Sequence, residues 1–123
     1  MAERPLVCLV DDDESVRESL PDLLREFGFE VRSFSLAKAF LASDSLALCD
    51  CLILDIAMPE MTGPDLQREL KCRGRDTPIV FITAHVDEKA RQRVLELGAV
   101  ACLYKPFSQV DLLDALRAAL PEQ

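Results

Sequence analysis

The chain is short of positive charge, of histidine and of long apolar runs. Its 123 residues carry 22 Asp and Glu against 14 Lys and Arg, for a formal net charge of −8. A surface of that sign favours solubility and opposes direct nucleic-acid binding, which needs clustered cations. His85 is the only histidine, so there is no histidine cluster for zinc. None of the five cysteines forms a CxxC pair, and Cys49 and Cys51 are two apart, so neither a zinc ribbon nor a dithiol redox motif is present. Cys8, Cys51 and Cys102 lie inside apolar runs, where a reduced thiol behaves as a small buried hydrophobe. No apolar run approaches the ~20 residues of a membrane span. The first residues, Met1 to Pro5, lack the apolar stretch of a signal peptide, so the expected location is cytoplasmic and no membrane partner is expected. Repeats, low-complexity stretches and long linkers are also missing. One domain is expected over residues 1–123, with its core at about 6–120.

What is present is a regular alternation. Five short apolar runs, ending near Val10, Phe34, Leu54, Ile82 and Tyr104, alternate with segments of helical period. The first helix is expected from about Asp13 to Phe27, with Val16, Leu20, Leu23, Leu24 and Phe27 on one face and Gly28 as its stop. Pro21 falls inside that pattern, which predicts a kinked but single helix in which the Arg17 carbonyl lacks its partner. Ser35 is expected to cap a short second helix through Leu36, Ala37, Phe40 and Leu41. Thr62 with Asp65 reads as the cap of a third helix ending near Gly74. The fourth is expected to start near Asp87, bury Ala90, Val94, Leu95 and Leu97, and stop at Gly98. Ser108 with Asp111 is expected to cap the last, and Pro121 to end it. This alternation predicts an α/β fold: a doubly wound, five-stranded parallel sheet of order 2-1-3-4-5, flavodoxin-like, with ligands at the carboxyl ends of its strands.

That topology gathers specific side chains. Asp11 and Asp12 follow the first run, Asp55 closes the third, Thr83 closes the fourth and Lys105 follows the fifth. Three clustered carboxylates repel one another unless a hard cation joins them. Mg²⁺, which takes oxygen ligands and shares them with phosphate, is the cofactor expected for Asp11, Asp12 and Asp55. Asp55 is also the candidate nucleophile, since a carboxylate can attack phosphorus to give an aspartyl phosphate. Lys105 and the hydroxyl of Thr83 would then meet phosphoryl oxygens, and Ala84 leaves room for the group. The turn at Pro106-Phe107 would aim Lys105 inward, and such an X-Pro bond can be cis. Taken singly, each residue has a plainer reading: Asp12 or Asp13 as a helix cap, Asp55 as a strand end, Lys105 as a solvated side chain. His85, Met58 and Met61 read as loop residues.

Together these residues resemble the receiver domain of two-component response regulators. The matching segments are Val10-Asp11-Asp12-Asp13, Asp55-Ile56-Ala57-Met58-Pro59-Glu60-Met61-Thr62-Gly63, Thr83-Ala84 and Lys105-Pro106-Phe107. The resemblance covers about Leu6 to Leu120. Gly98-Ala99-Val100-Ala101 and Thr83-Ala84-His85 are most similar to the FixJ-like group, whose members often carry a LuxR-type helix-turn-helix after the receiver. The resemblance implies that Asp55 accepts a phosphoryl group from a sensor histidine kinase. It adds the backbone carbonyl of Ala57 as a metal ligand and makes Thr83 and Lys105 the sensors of phosphate. It also implies a switch in the surface of the fourth helix, fifth strand and fifth helix, with a phosphorylation-linked homodimer and control of a transcriptional output domain. The end at Leu120 to Gln123 reads as a stop just before a linker, although a free-standing receiver fits the same residues.

Two positions depart from the family. Receivers commonly carry an aromatic switch residue three positions before the Lys, and here that position is Cys102; Tyr104, two residues on, is the candidate substitute. Ala57 has no polar side chain to orient water. A phosphorylation-independent interaction module on the same fold is the alternative function. A phosphatase of the haloacid-dehalogenase type would need a second Asp where Ala57 stands. A flavodoxin would need a phosphate-cradling loop where the acidic Asp11-Asp12-Asp13 stands. The expectation is therefore a signalling phosphoacceptor, not a metabolic enzyme.

Overall fold

The computed structural model describes residues 4–120. Strands β1 (Leu6–Val10), β2 (Glu30–Phe34), β3 (Cys51–Asp55), β4 (Ile79–Thr83) and β5 (Ala101–Tyr104) pair in parallel, in the order β2-β1-β3-β4-β5. Every residue of β1, β3 and β4 is buried. Their unbroken apolar runs follow from this, because helices cover both sheet faces. On one face Cys8, Val10, Leu52, Leu54 and Phe81 pack with Phe40, Leu66, Leu70 and Val94. On the other, Val7, Leu9, Ile53, Val80 and Ile82 pack with Leu20, Leu24, Leu112 and Leu116.

The helices are α1 (Glu14–Glu26), α2 (Ala37–Leu41), α3 (Ser45–Leu48), α4 (Gly63–Cys72), α5 (Glu88–Glu96) and α6 (Gln109–Ala119). Asp13 caps α1 by accepting from the Ser15 N–H, and Gly28 leaves the helix at φ 98°. Pro21 is accommodated within one continuous helix and is buried. Thr62 and Asp65 form the expected reciprocal capping box of α4, and Ser108 caps α6 by accepting from Asp111 N–H. Pro121, expected to end α6, lies outside the described residues.

Three expectations need correction. Leu36, not Ser35, occupies the N-cap of α2, and no side chain caps it. Leu36 is extended there, with φ −135° and ψ 142°, so the helix begins one residue later than a Ser35 cap requires. Within α5 only Val94 is fully buried; Ala90, Leu95 and Leu97 are half-buried. The helix rests on the sheet through a narrow stripe and leaves its flanks to solvent. Finally, α3 is an additional element. Four residues are too few to display a helical period, and the buried Ser45 at its start instead accepts from the Arg32 guanidinium of β2 at 3.0 Å. Among the described residues no helix is long and apolar enough to cross a membrane.

Candidate functional site

The carboxyl ends of β1, β3, β4 and β5 meet at one rim. Asp11, one residue past β1, is fully buried. Its backbone N–H donates to the Phe34 carbonyl of β2 at 3.1 Å, and its Oδ1 accepts from the Asp13 N–H at 2.9 Å. Asp55 ends β3 and is 6 % exposed. Just past it, the Ile56 N–H donates to the Ile82 carbonyl at 3.1 Å and the Ala57 N–H reaches Asp55 Oδ1 at 3.4 Å. The carboxylates of Asp11, Asp12 and Asp55 offer oxygens that all lie within 4.8 Å of one another. Lys105 enters from the end of β5, its backbone N–H donating to the Thr83 carbonyl at 2.7 Å and the Lys105–Pro106 bond cis. Its Nζ stands 2.8 Å from Asp11 Oδ2 and 3.9 Å from Asp55 Oδ2.

The electrostatics are unbalanced. Burial, reinforced by the neighbouring Asp11 charge, pushes Asp55 up to about 7, while Lys105 pulls the other way. One ammonium does not offset three carboxylates. Asp11 Oδ2 is buried, and the Lys105 ammonium 2.8 Å away is its one cationic neighbour among the described residues. A cluster of three carboxylates whose charge one ammonium leaves unbalanced, with hard oxygen donors and no sulfur or imidazole in it, fits Mg²⁺.

Thr83 is buried at the end of β4, and its Oγ1 accepts from the His85 N–H at 3.1 Å. His85 and Ala84 are exposed, in keeping with a surface role for the lone histidine and space beside Thr83. Met58 packs into the core and Met61 is half-buried against it. An open cleft of about 470 Å³ between Ser15, Val16, Ala84, Lys105 and Phe107 leads to the rim. Cys102 lies beside Phe81 in the sheet, whereas Tyr104 lies beside Thr83 itself. The Tyr104 hydroxyl donates to Glu88 on α5 at 2.6 Å, a bond that raises Tyr104 to about 12.

Two contributors carry no role in the sequence reading. The Arg17 Nη1 of α1 donates to the Asp11 carbonyl at 2.8 Å. Gly63 packs so closely behind the site that a Cβ there would stand 2.3 Å from the Asp55 carbonyl oxygen. The signal for Gly63 is its place directly after a helix cap, at the end of the family-like segment that begins at Asp55. For Arg17 it is a cation one turn into a helix that follows an acidic turn.

Residues 7–117 match the response regulator receiver domain family. The response regulator protein TodT of Pseudomonas putida is 44% identical over 115 residues, covering 94% of this chain and 51% of TodT. The transcriptional regulatory protein FixJ of Azorhizobium caulinodans is 36% identical over 120 residues, covering 98% of this chain and 57% of FixJ. Among solved structures, response regulator StyR superposes with a TM-score of 0.88 at 45% identity, covering 97% of this chain and 60% of that one. FixJ-N superposes at 0.87 with 32% identity, covering 99% and 98%. The chain thus spans about half the length of the curated relatives it matches. It belongs to the response regulator receiver family.

Proposed function

We propose that this receiver takes a phosphoryl group onto Asp55 from the phosphohistidine of a sensor histidine kinase. The observation that carries the reading is the single rim where Asp11, Asp12 and Asp55 converge with the Lys105 ammonium inserted between Asp11 and Asp55. An oxygen of the Asp55 carboxylate attacks phosphorus, the P–N bond to the donor imidazole breaks, and the imidazole leaves with its bonding pair. The cleft bordered by Ser15, Ala84 and Phe107 gives the donor a line of approach. Asp11, Asp12, Asp55 and the Ala57 carbonyl would hold Mg²⁺, which supplies positive charge against the transferring oxygens. Lys105 exchanges its contact with Asp55 for one with a phosphoryl oxygen, and the Thr83 hydroxyl donates to another. Incubation with acetyl phosphate and Mg²⁺ tests this: the wild type gains one phosphate by mass and Asp55→Asn gains none. Equal gains in both proteins would overturn it.

The departures from the family set the finer behaviour. Ala57 presents only a methyl group, so it offers no hydrogen bond to a water attacking the acyl phosphate. Ala57→Asn is expected to change the dephosphorylation rate severalfold, by the ordinary weight of one positioned polar group; an unchanged decay counts against this role. Tyr104 partly substitutes in the switch role that Cys102 cannot fill. Its register beside Thr83 and its bond to Glu88 link the phosphate sensor to α5. When Thr83 turns towards phosphate, that linkage shifts the surface of α5, β5 and α6, which serves homodimerisation and transcriptional output in a longer cytoplasmic regulator. The FixJ relative is named as a transcriptional regulatory protein.

A further inference from the structure

We infer that Arg17 is a positioning residue for cation binding, orienting the peptide that joins Asp11 to Asp12; this rests on the metal site proposed above. The backbone around the acidic pair is held from three directions. Phe34 accepts the Asp11 N–H, Asp11 Oδ1 accepts the Asp13 N–H, and the Arg17 guanidinium grips the Asp11 carbonyl at 2.8 Å. The third bond fixes the plane of the peptide whose other end is Asp12 N. Asp12 has no such support of its own. Among the described residues its exposed carboxylate makes no hydrogen bond or ion pair. The reach of that carboxylate into the rim is therefore bounded by where its backbone lies, and Arg17 helps to hold the plane of its leading peptide.

Arg17 is suited to this task. It sits in the first turns of α1, whose start is fixed by the Asp13 cap, and its own backbone N–H donates to the Asp13 carbonyl at 3.2 Å. The helix thus forms a rigid base from which the half-buried side chain reaches back six residues. No carboxylate forms an ion pair with it among the described residues. Its resolved hydrogen bond to the site is the one to the carbonyl.

Two physical roles predict opposite signs, which makes the inference testable. As a bare cation beside the site, Arg17 would repel Mg²⁺, and its removal would tighten metal binding. As an orienting donor it assembles the ligands, and its removal loosens binding, as loss of outer hydrogen bonds around a metal site commonly does. The full chain is titrated with Mg²⁺ alone, followed by amide chemical shifts, for wild type, Arg17→Met, Arg17→Lys and Asp12→Asn. Arg17→Met is expected to weaken Mg²⁺ binding by roughly tenfold, with Arg17→Lys, which keeps both charge and donor, falling between it and wild type. In acetyl phosphate reactions the half-saturating Mg²⁺ concentration rises by the same factor, while the rate at saturating Mg²⁺ stays near that of wild type. Unchanged or tighter binding by Arg17→Met overturns the inference, as does a lowered plateau rate at unchanged half-saturation. If Arg17→Met melts below the assay temperature, Arg17→Gln takes its place with the same expected direction and the same overturning outcomes. Failure of the underlying site reads differently: wild type itself binds no Mg²⁺, or Asp12→Asn binds as wild type does.

Discussion

Asp55 is a carboxylate held where its own charge is opposed. Burial first, and the Asp11 charge second, raise it from the ordinary 3.8 to about 7. The native state therefore keeps a proton that the unfolded chain has already lost, and native stability falls as pH rises through that interval. In chelator, Asp55→Asn is expected to be more stable than wild type at pH 8 by roughly 1–3 kcal/mol, the gap closing towards pH 4. Urea midpoints across pH check this, and a pH-independent gap would contradict it. The proposed chemistry exploits the same feature: a cation that offsets the repulsion also keeps the nucleophile ionised. Asp11, Asp12, Asp55, Thr83 and Lys105 were legible as candidates because each follows an apolar run. Arg17 was not legible in this way, since its contact depends on a long side chain folding back from a helix.

At the scale of elements, the start of α4 sits hard against the end of β3. Gly63 N–H donates to the Ile56 carbonyl at 2.9 Å, and the space beside it is closed by the Asp55 carbonyl and the Phe81 ring. Gly63→Ala would force the helix away from backbone, which cannot yield as a flexible side chain does. A loss of about 2–4 kcal/mol in urea denaturation is expected, accompanied by weaker Mg²⁺ binding because the loop carrying Ala57 moves with the helix. The link between β5 and α5 is lighter. Tyr104→Phe removes one exposed hydrogen bond to Glu88, so the urea midpoint should barely change. Amide shifts of α5 on phosphorylation should nevertheless shrink, and shifts of full size would dismiss Tyr104 as the relay. Alternation of type was clear in the sequence for β1, β3 and β4, whose residues are buried on both sides. It was unclear at the start of α2 and throughout α3, short turns of helix that no side chain caps, with the Arg32–Ser45 contact holding the start of α3 to β2.

Across the whole molecule, the doubly wound sheet brings acids from β1 and β3 to a lysine from β5, although these residues lie far apart in the chain. The order of the strands was readable because parallel connections of this length favour few topologies. The register that places Tyr104 beside Thr83, and Cys102 beside Phe81, emerged only when the strands were paired. Ligand linkage extends to global stability: Mg²⁺ binding only the native rim should raise the melting temperature in a concentration-dependent way that chelator reverses and Asp12→Asn blunts. An equal rise in Asp12→Asn would place the ion elsewhere. The most direct measurement is reductive trapping. Protein phosphorylated with acetyl phosphate and Mg²⁺ is treated with borohydride, which converts an aspartyl phosphate to homoserine, and the peptides are mapped by mass. Homoserine at position 55 alone is the predicted result; homoserine at position 11 or 12, or none anywhere, would contradict the account.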